Sequence, residues 1–214
     1  MHAIAINGSP RKNHNTATIL KHALDGAASA GATTETVHLY DLNYKGCTSC
    51  FACKRKDTKN PGRCAMKDDL TPVLEKIMNS DVLLLGSPIY LADVTGEMRS
   101  FIERLIFPII SYDDYNKPVF SGKISSAFFF TMNVPQEIFQ YYREFLESHP
   151  KTLERTLHGS SEYLPVFDTY QFNDYSKYAA AMFNETHKAK VKAEQFPKDC
   201  AAAFEIGKRL AQKE

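Results

Sequence analysis

Between Asp81 and Gly86 the chain places four consecutive large apolar residues, Val82-Leu83-Leu84-Leu85. A membrane span needs roughly 18 or more apolar residues, and a strand with one wet face would alternate polar and apolar positions. The run therefore reads as a strand buried on both faces, as found in the middle of a parallel sheet covered by helices. The rest of the pattern agrees. Residues 2–7 form a first small-and-branched apolar strand that stops at Gly8-Ser9-Pro10, and helical spacing follows through Thr16, Ile19, Leu20, Ala23 and Leu24 until Gly31. Residues 33–40, rich in Thr and Val, read as a second strand and 69–79 as a helix; 81–86 is the third strand and 96–110 the next helix. A fourth strand over 123–132 carries three consecutive Phe, an amphipathic helix covers 136–148, a fifth strand 161–169, and a closing helix 199–213. Strands alternating with helices predict an α/β protein with a doubly wound five-stranded parallel sheet and ligands at the carboxyl ends of the strands.

With 214 residues, we expect one domain over 1–214, large enough to build its core without disulfides or metal. The 26 Lys+Arg against 25 Asp+Glu leave a net charge of +1, which argues against a nucleic-acid partner. The start MHAIAINGSPRKN has no charged segment ahead of an apolar stretch, and no membrane-length run exists, so the expectation is a cytoplasmic protein without a membrane partner. Residues 170–198 do not fit the alternation and read as an insertion before the last helix. This stretch is aromatic at first (Tyr170, Phe172, Tyr175, Tyr178, Phe183) and then Lys-rich; Lys188, Lys190 and Lys192 are expected on an exposed helix face. So much aromatic surface predicts self-association as a homodimer or homotetramer.

The loop after the first strand is Gly8-Ser9-Pro10-Arg11-Lys12-Asn13-His14-Asn15-Thr16-Ala17. Gly8 permits a tight turn, Ser9 and Thr16 supply hydroxyls, Arg11 offers a planar fork, and the following helix adds free N–H groups and its positive dipole end. Together they describe a pocket for one phosphate monoester. Neither G-x-x-x-x-G-K-[ST] nor G-x-G-x-x-G is present, which excludes the usual triphosphate and dinucleotide loops.

With GSPRKNHNTATIL after the first strand and GSPIYLADVTGEMRSFIERL after the third, the chain resembles the NADPH-dependent FMN reductase and iron–sulfur flavoprotein group of flavodoxin-like proteins, over about residues 1–105. The resemblance implies a flavodoxin-like fold, an FMN phosphate held by Ser9, Arg11, Asn15, Thr16 and Ala17, and an isoalloxazine lined by Pro88, Ile89, Tyr90 and Leu91, with Val94 and Thr95 close by. His14 departs from the small residue common at its place. A third wall is expected from Thr131-Met132-Asn133-Val134, where the group usually has a Gly-containing turn and this chain has none.

Cys47, Cys50 and Cys53 form C-x2-C-x2-C, Cys64 follows after ten residues, and Cys200 stands apart as a small core residue. Such spacing suits metal ligands or redox groups better than structural disulfides; three corners of a 4Fe–4S cubane with Cys64 as the fourth ligand is one reading, and free thiols packed near the active site the other. Zinc would more commonly use two separated pairs or add histidine. The resemblance implies an FMN-dependent NAD(P)H oxidoreductase that passes electrons to a small-molecule or protein acceptor. Its alternative is an iron–sulfur flavoprotein carrying electrons between protein partners without NAD(P)H. No catalytic side chain is expected, because the flavin carries the chemistry.

Overall fold

The computed structural model describes residues 1–59 and 61–212. In chain order the elements are β1 (His2–Asn7), α1 (Asn15–Ser29), β2 (Thr33–His38), α2 (Leu70–Ile77), β3 (Val82–Tyr90), β4 (Asp93–Val94), α3 (Gly96–Ile109), β5 (Ile124–Thr131), α4 (Gln136–Phe139), α5 (Arg143–Leu157), β6 (His158–Val166), α6 (Glu185–Glu194) and α7 (Phe196–Leu210). Five strands pair in parallel in the order β2-β1-β3-β5-β6, and the two-residue β4 folds back antiparallel on β3. The expected five-stranded parallel sheet is there, with one short strand added.

Side chains alternate across this sheet and build two cores. Ile4, Ile6, Leu83, Leu85, Phe128 and Phe130 face α2, α3 and α5; Ala3, Ala5, Val82, Leu84, Ala127 and Phe129 face α1 and α7. The three consecutive Phe of β5 thus divide between the two layers. Small residues on the second face let α1 and α7 approach until Gly26 and Gly207 meet the opposite backbone. Among the described residues no helix is long and apolar enough to cross a membrane.

Four expectations are corrected. The helix over 136–148 is instead the short α4 followed by α5, which runs on through Pro150 because Leu146, Leu153 and Leu157 keep one buried face on either side of it. The fifth strand lies at His158–Val166, three residues earlier than 161–169, with Asp168 in a left-handed turn beyond it. The last helix starts at Phe196 and ends at Leu210; the expected terminus at residue 213 lies outside the described residues. In 170–198 the Lys-rich part forms α6, and Lys188 is buried rather than exposed. Several of the aromatics there pack on one another, with Phe172 stacked on Tyr178 at 4.1 Å and Tyr170 edge-on to Tyr175 at 5.2 Å.

Candidate functional site

The strand order reverses between β1 and β3, and their carboxyl-terminal loops meet there, where an open α/β sheet offers its crevice. The Gly8 N–H donates to the Gly86 carbonyl at 2.8 Å, the Thr95 hydroxyl donates to the Gly8 carbonyl at 2.7 Å, and the Thr95 N–H donates to Ser87 Oγ at 3.0 Å. These bonds tie both loops into one rim. Thr95 also accepts from the Met98 N–H as the N-cap of α3. It is completely buried, so its role is to join the loops rather than to face a ligand.

The first loop is shaped from within. Asn7 Oδ1 accepts the Ser9 N–H at 2.9 Å, and Ser9 Oγ accepts the Arg11 N–H at 3.1 Å. The first intrahelical bond of α1 runs from the Thr18 N–H to the His14 carbonyl, so the N–H groups of Asn15, Thr16 and Ala17 have no partner within the helix. His14 stands at the N-cap without a side-chain cap bond, and burial, aided by the Arg11 and Lys192 charges, holds its imidazole below its usual pKa. An anion placed here meets helix N–H groups, the dipole and Arg11 together.

Ser9, Arg11, Asn15, Thr16, Pro88, Ile89 and Tyr90 all line one cleft, joined by His14 and by Thr131, Met132, Asn133, Thr169 and Gln171 from the far side. Two of the expected ligand-binding side chains reach across it: Arg11 Nη1 donates to the Gln171 carbonyl at 2.7 Å, and Asn15 Nδ2 donates to the Tyr170 carbonyl at 3.0 Å. Thr16 and Thr131 share a hydroxyl hydrogen bond of 2.7 Å. Leu91 and Ala92 form the left-handed tip of the β3–β4 hairpin, with Leu91 fully exposed, while Val94 is buried opposite Ile89. On the far wall Asn133 Oδ1 is buried without a hydrogen-bond donor among the described residues. His14, set aside in the sequence because it departs from the small residue common at its place, lines the cleft; Thr169 and Gln171 went unread and are brought in by the turn after β6, which no short motif announces.

Cys47, Cys50, Cys53 and Cys64 line a second cavity, together with Glu103, Arg104 and Phe107 of α3. Left-handed backbone at Ser49 and Phe51 curls the loop against that helix. The Cys47 N–H donates to Glu103 Oε2 at 3.1 Å, and Arg104 Nε donates to Cys64 Sγ at 3.1 Å. Among the described residues no three His, Cys, Asp or Glu are grouped as ligands of a metal ion. Two cations stand beside the thiols among the described residues: Arg104, which the sequence did not single out, at Cys64, and Lys54, near Cys53 and Cys47, whose ammonium also donates to the Phe107 and Ile110 carbonyls at the end of α3; Arg55 pairs with Asp57 in solvent. Burial pushes the Cys53 thiol up, against the pull of Lys54. Helix α3 links the two places. Thr95 caps it at the cleft, and Arg104 stands nine residues on, about 13 Å along the axis at roughly 1.5 Å per residue.

Comparison with known proteins bears on the family and the fold. The chain is 31% identical over 150 residues to an iron–sulfur flavoprotein of Archaeoglobus fulgidus, covering 69% of this chain and 63% of that one. It spans about half the length of the other iron–sulfur flavoproteins it matches. In fold it is similar to an NAD(P)H:quinone oxidoreductase from Methanothermobacter marburgensis, with a TM-score of 0.69 at 15% identity, covering 100% of this chain and 98% of that one. An archaeal flavodoxin shares the same fold with a TM-score of 0.50 at 12% identity, covering 99% of this chain and 96% of that one. The family model for NADPH-dependent FMN reductase matches residues 1–143, which hold the phosphate-type loop, the cysteine loop, the Pro88–Tyr90 wall and the far strand end, and the chain therefore belongs to that family.

Proposed function

We propose that the chain binds FMN in the cleft between β1, β3 and β5 and acts as an FMN-dependent NAD(P)H oxidoreductase that passes electrons to a small-molecule or protein acceptor. The observation that carries this reading is that the anion-type loop and the apolar Pro88–Tyr90 wall line one and the same cleft. The donor set fits the cofactor: unpaired helix N–H groups and Arg11 suit a phosphate, Pro88, Ile89 and Tyr90 suit a flat ring, and the buried Asn133 oxygen lacks a donor that a ligand would bring. Bound FMN supplies hydride and electron transfer. The protein orients the ring on a wall stiffened by Pro88 and by the bonds of Thr95, and it holds the phosphate by charge. Arg11 and Asn15 exchange the carbonyls of residues 170 and 171 for that phosphate, which couples FMN binding to the turn after β6.

The test is a fluorescence-quenching titration with FMN, followed by steady-state oxidation of NADH and NADPH by the loaded protein. One charge-assisted contact contributes roughly 1.5–3 kcal/mol, so Arg11→Ala should weaken FMN about ten-fold to a hundred-fold. Equal affinity in the variant would sink the phosphate assignment, and a loaded protein inert to both nucleotides would sink the oxidoreductase reading.

A second reading rests on a separate observation, the four cysteines lining one cavity beside Arg104. Four thiols are the donor set of a 4Fe–4S cluster, but among the described residues they are not drawn together as ligands, so a cluster would require the cysteine loop to close around it; Arg104 offers an N–H donor to one sulfur. On this reading the chain carries electrons between proteins as an iron–sulfur flavoprotein. Anaerobic reconstitution with iron and sulfide should then leave about four irons per chain, lost in Cys50→Ser. A chain that retains no iron after desalting would reduce the thiols to packing.

A further inference from the structure

Helix α5 buries a stripe of Leu146, His149, Leu153 and Leu157 at three- and four-residue spacing, and the histidine is its odd member. Its ring is 6% exposed, lies edge-on to Phe145 at 5.8 Å and tilts over Phe128 at 5.7 Å. Among the described residues its one hydrogen bond joins Nε2 to Asp93 Oδ1 at 3.3 Å. A carboxylate only accepts, so Nε2 carries the hydrogen. Burial, with the Arg99 charge, outweighs Asp93 and holds the imidazole below its usual pKa, which leaves the ring neutral at pH 7 and Nδ1 a bare acceptor. Packing alone does not account for this residue: a leucine would continue the stripe without burying an unpaired nitrogen.

The same ring lines a groove of about 260 Å³ between α3 and α5, together with Phe128 of β5 and Ile102, Ile106, Ile110 and Leu153 of the two helices. A cavity of about 150 Å³ with such a lining holds benzene, so the larger volume takes two fused rings. Arg99 and Glu103, which also line the groove, pair with each other at 3.7 Å, so it offers no net charge to a ligand. We infer that the groove between α3 and α5 binds a neutral fused aromatic bearing a phenolic hydroxyl, whose O–H donates to His149 Nδ1 while its rings lie among the isoleucines. None of these groups belongs to the cleft of the FMN reading, and the inference does not depend on that reading. The two places are nevertheless adjacent in structure. Asp93 sits in the β3–β4 hairpin, opposite Tyr90 of the cleft wall, so one imidazole separates the bound hydroxyl from the hairpin.

The experiment is equilibrium dialysis of 2-naphthol and of its methyl ether, 2-methoxynaphthalene, against the protein, without FMN and with FMN in excess. About one 2-naphthol per chain should bind in both conditions, at least about ten-fold more tightly than the ether, which has no hydrogen to donate to the buried nitrogen. His149→Leu, close in volume but without the acceptor, should bring the two affinities together. Thr152→Trp, on the groove's lining, should exclude both compounds. Equal binding of naphthol and ether by the wild type, full discrimination kept by His149→Leu, or naphthol that FMN displaces and Thr152→Trp does not, would each overturn the inference. Absence of naphthol uptake would overturn it as well; if light scattering then showed Thr152→Trp dissociating a wild-type oligomer, the groove would belong to a second copy of the chain.

Discussion

Gly207→Ala should destabilise the protein by about 3 kcal/mol, the upper end of the usual overpacking range, although alanine is ordinarily the better helix former. A Cβ on Gly207 would lie 1.8 Å from the Ala23 carbonyl oxygen and 2.7 Å from its carbon, and the reciprocal Cβ on Gly26 would lie 1.9 Å from the Phe204 oxygen. These are backbone atoms, so no side chain can swing away; α1 and α7 must separate and uncover the Ala3, Ala5 and Phe129 face of the sheet. Gly96→Ala is the internal control, because a Cβ there meets nothing within 4 Å. Thermal unfolding by circular dichroism checks both. For a chain of this size the Gly207 variant should melt roughly 6–12 °C lower, with the Gly96 variant unchanged or slightly higher. Matching melting temperatures for Gly207→Ala and wild type would mean that the helix crossing yields freely.

The same crossing shows what the sequence could and could not disclose. β1, β3 and β5 were legible because their apolar runs are too short for a buried helix and are bounded by turn-type residues, although Gly86-Ser87-Pro88 continues β3 rather than ending it. The spacing of Leu20, Ala23 and Leu24 predicted α1, but nothing local marked Gly26 as a contact point, since a glycine in a helix reads only as a weakness. Edge elements were harder. β6 opens on His158-Gly159-Ser160, whose polar character hides a strand that has only one neighbour in the sheet. α5 runs through Pro150, where proline argues for a boundary, because the buried leucines outweigh the lost hydrogen bond.

The site divides along the same line. Ser9, Arg11, Asn15, Thr16, Pro88, Ile89 and Tyr90 could be placed in one cleft because they sit in the loops that a doubly wound sheet brings together. Thr131, Met132 and Asn133, expected as a third wall, line the same cleft from the end of β5, whereas Thr169 and Gln171 depend on how the turn after β6 folds back, and Lys188 on an ion pair twenty residues away in sequence. A run of lysines looks the same on paper whether one of them is buried or none is.

Arg104 is where such a long-range partnership should have its largest measurable cost. Its side chain has no exposed surface, yet it carries a full charge: Nη1 and Nη2 meet the two oxygens of Asp68 at 2.7 and 3.1 Å, Nη1 also meets the Lys45 carbonyl at 2.8 Å, and Nε meets Cys64 Sγ. Removing one partner of a buried ion pair typically costs 3–5 kcal/mol; Asp68 keeps some contact with water, so we take the lower end, about 3 kcal/mol, for Arg104→Ala. Arg104→Lys should recover only part of this, because an ammonium cannot reach Asp68, the carbonyl and the sulfur in one plane. The pair also has a pH signature. Hydrogen bonds from Arg104 hold the Asp68 carboxyl below the usual carboxylate pKa. Its stabilisation is therefore fully present above the ordinary Asp value near 3.9 and is lost as the pH falls through the lower, folded value. Urea unfolding at pH 7 and at successively lower pH measures both effects: wild type should lose stability on acidification more steeply than Arg104→Ala, so that the gap between them narrows. A constant gap would place the cost in the cavity rather than in the charge. If the cysteines hold iron, the same variant should also release it faster, since the loop carrying Cys47 and the segment carrying Cys64 are both fastened to α3 through this guanidinium.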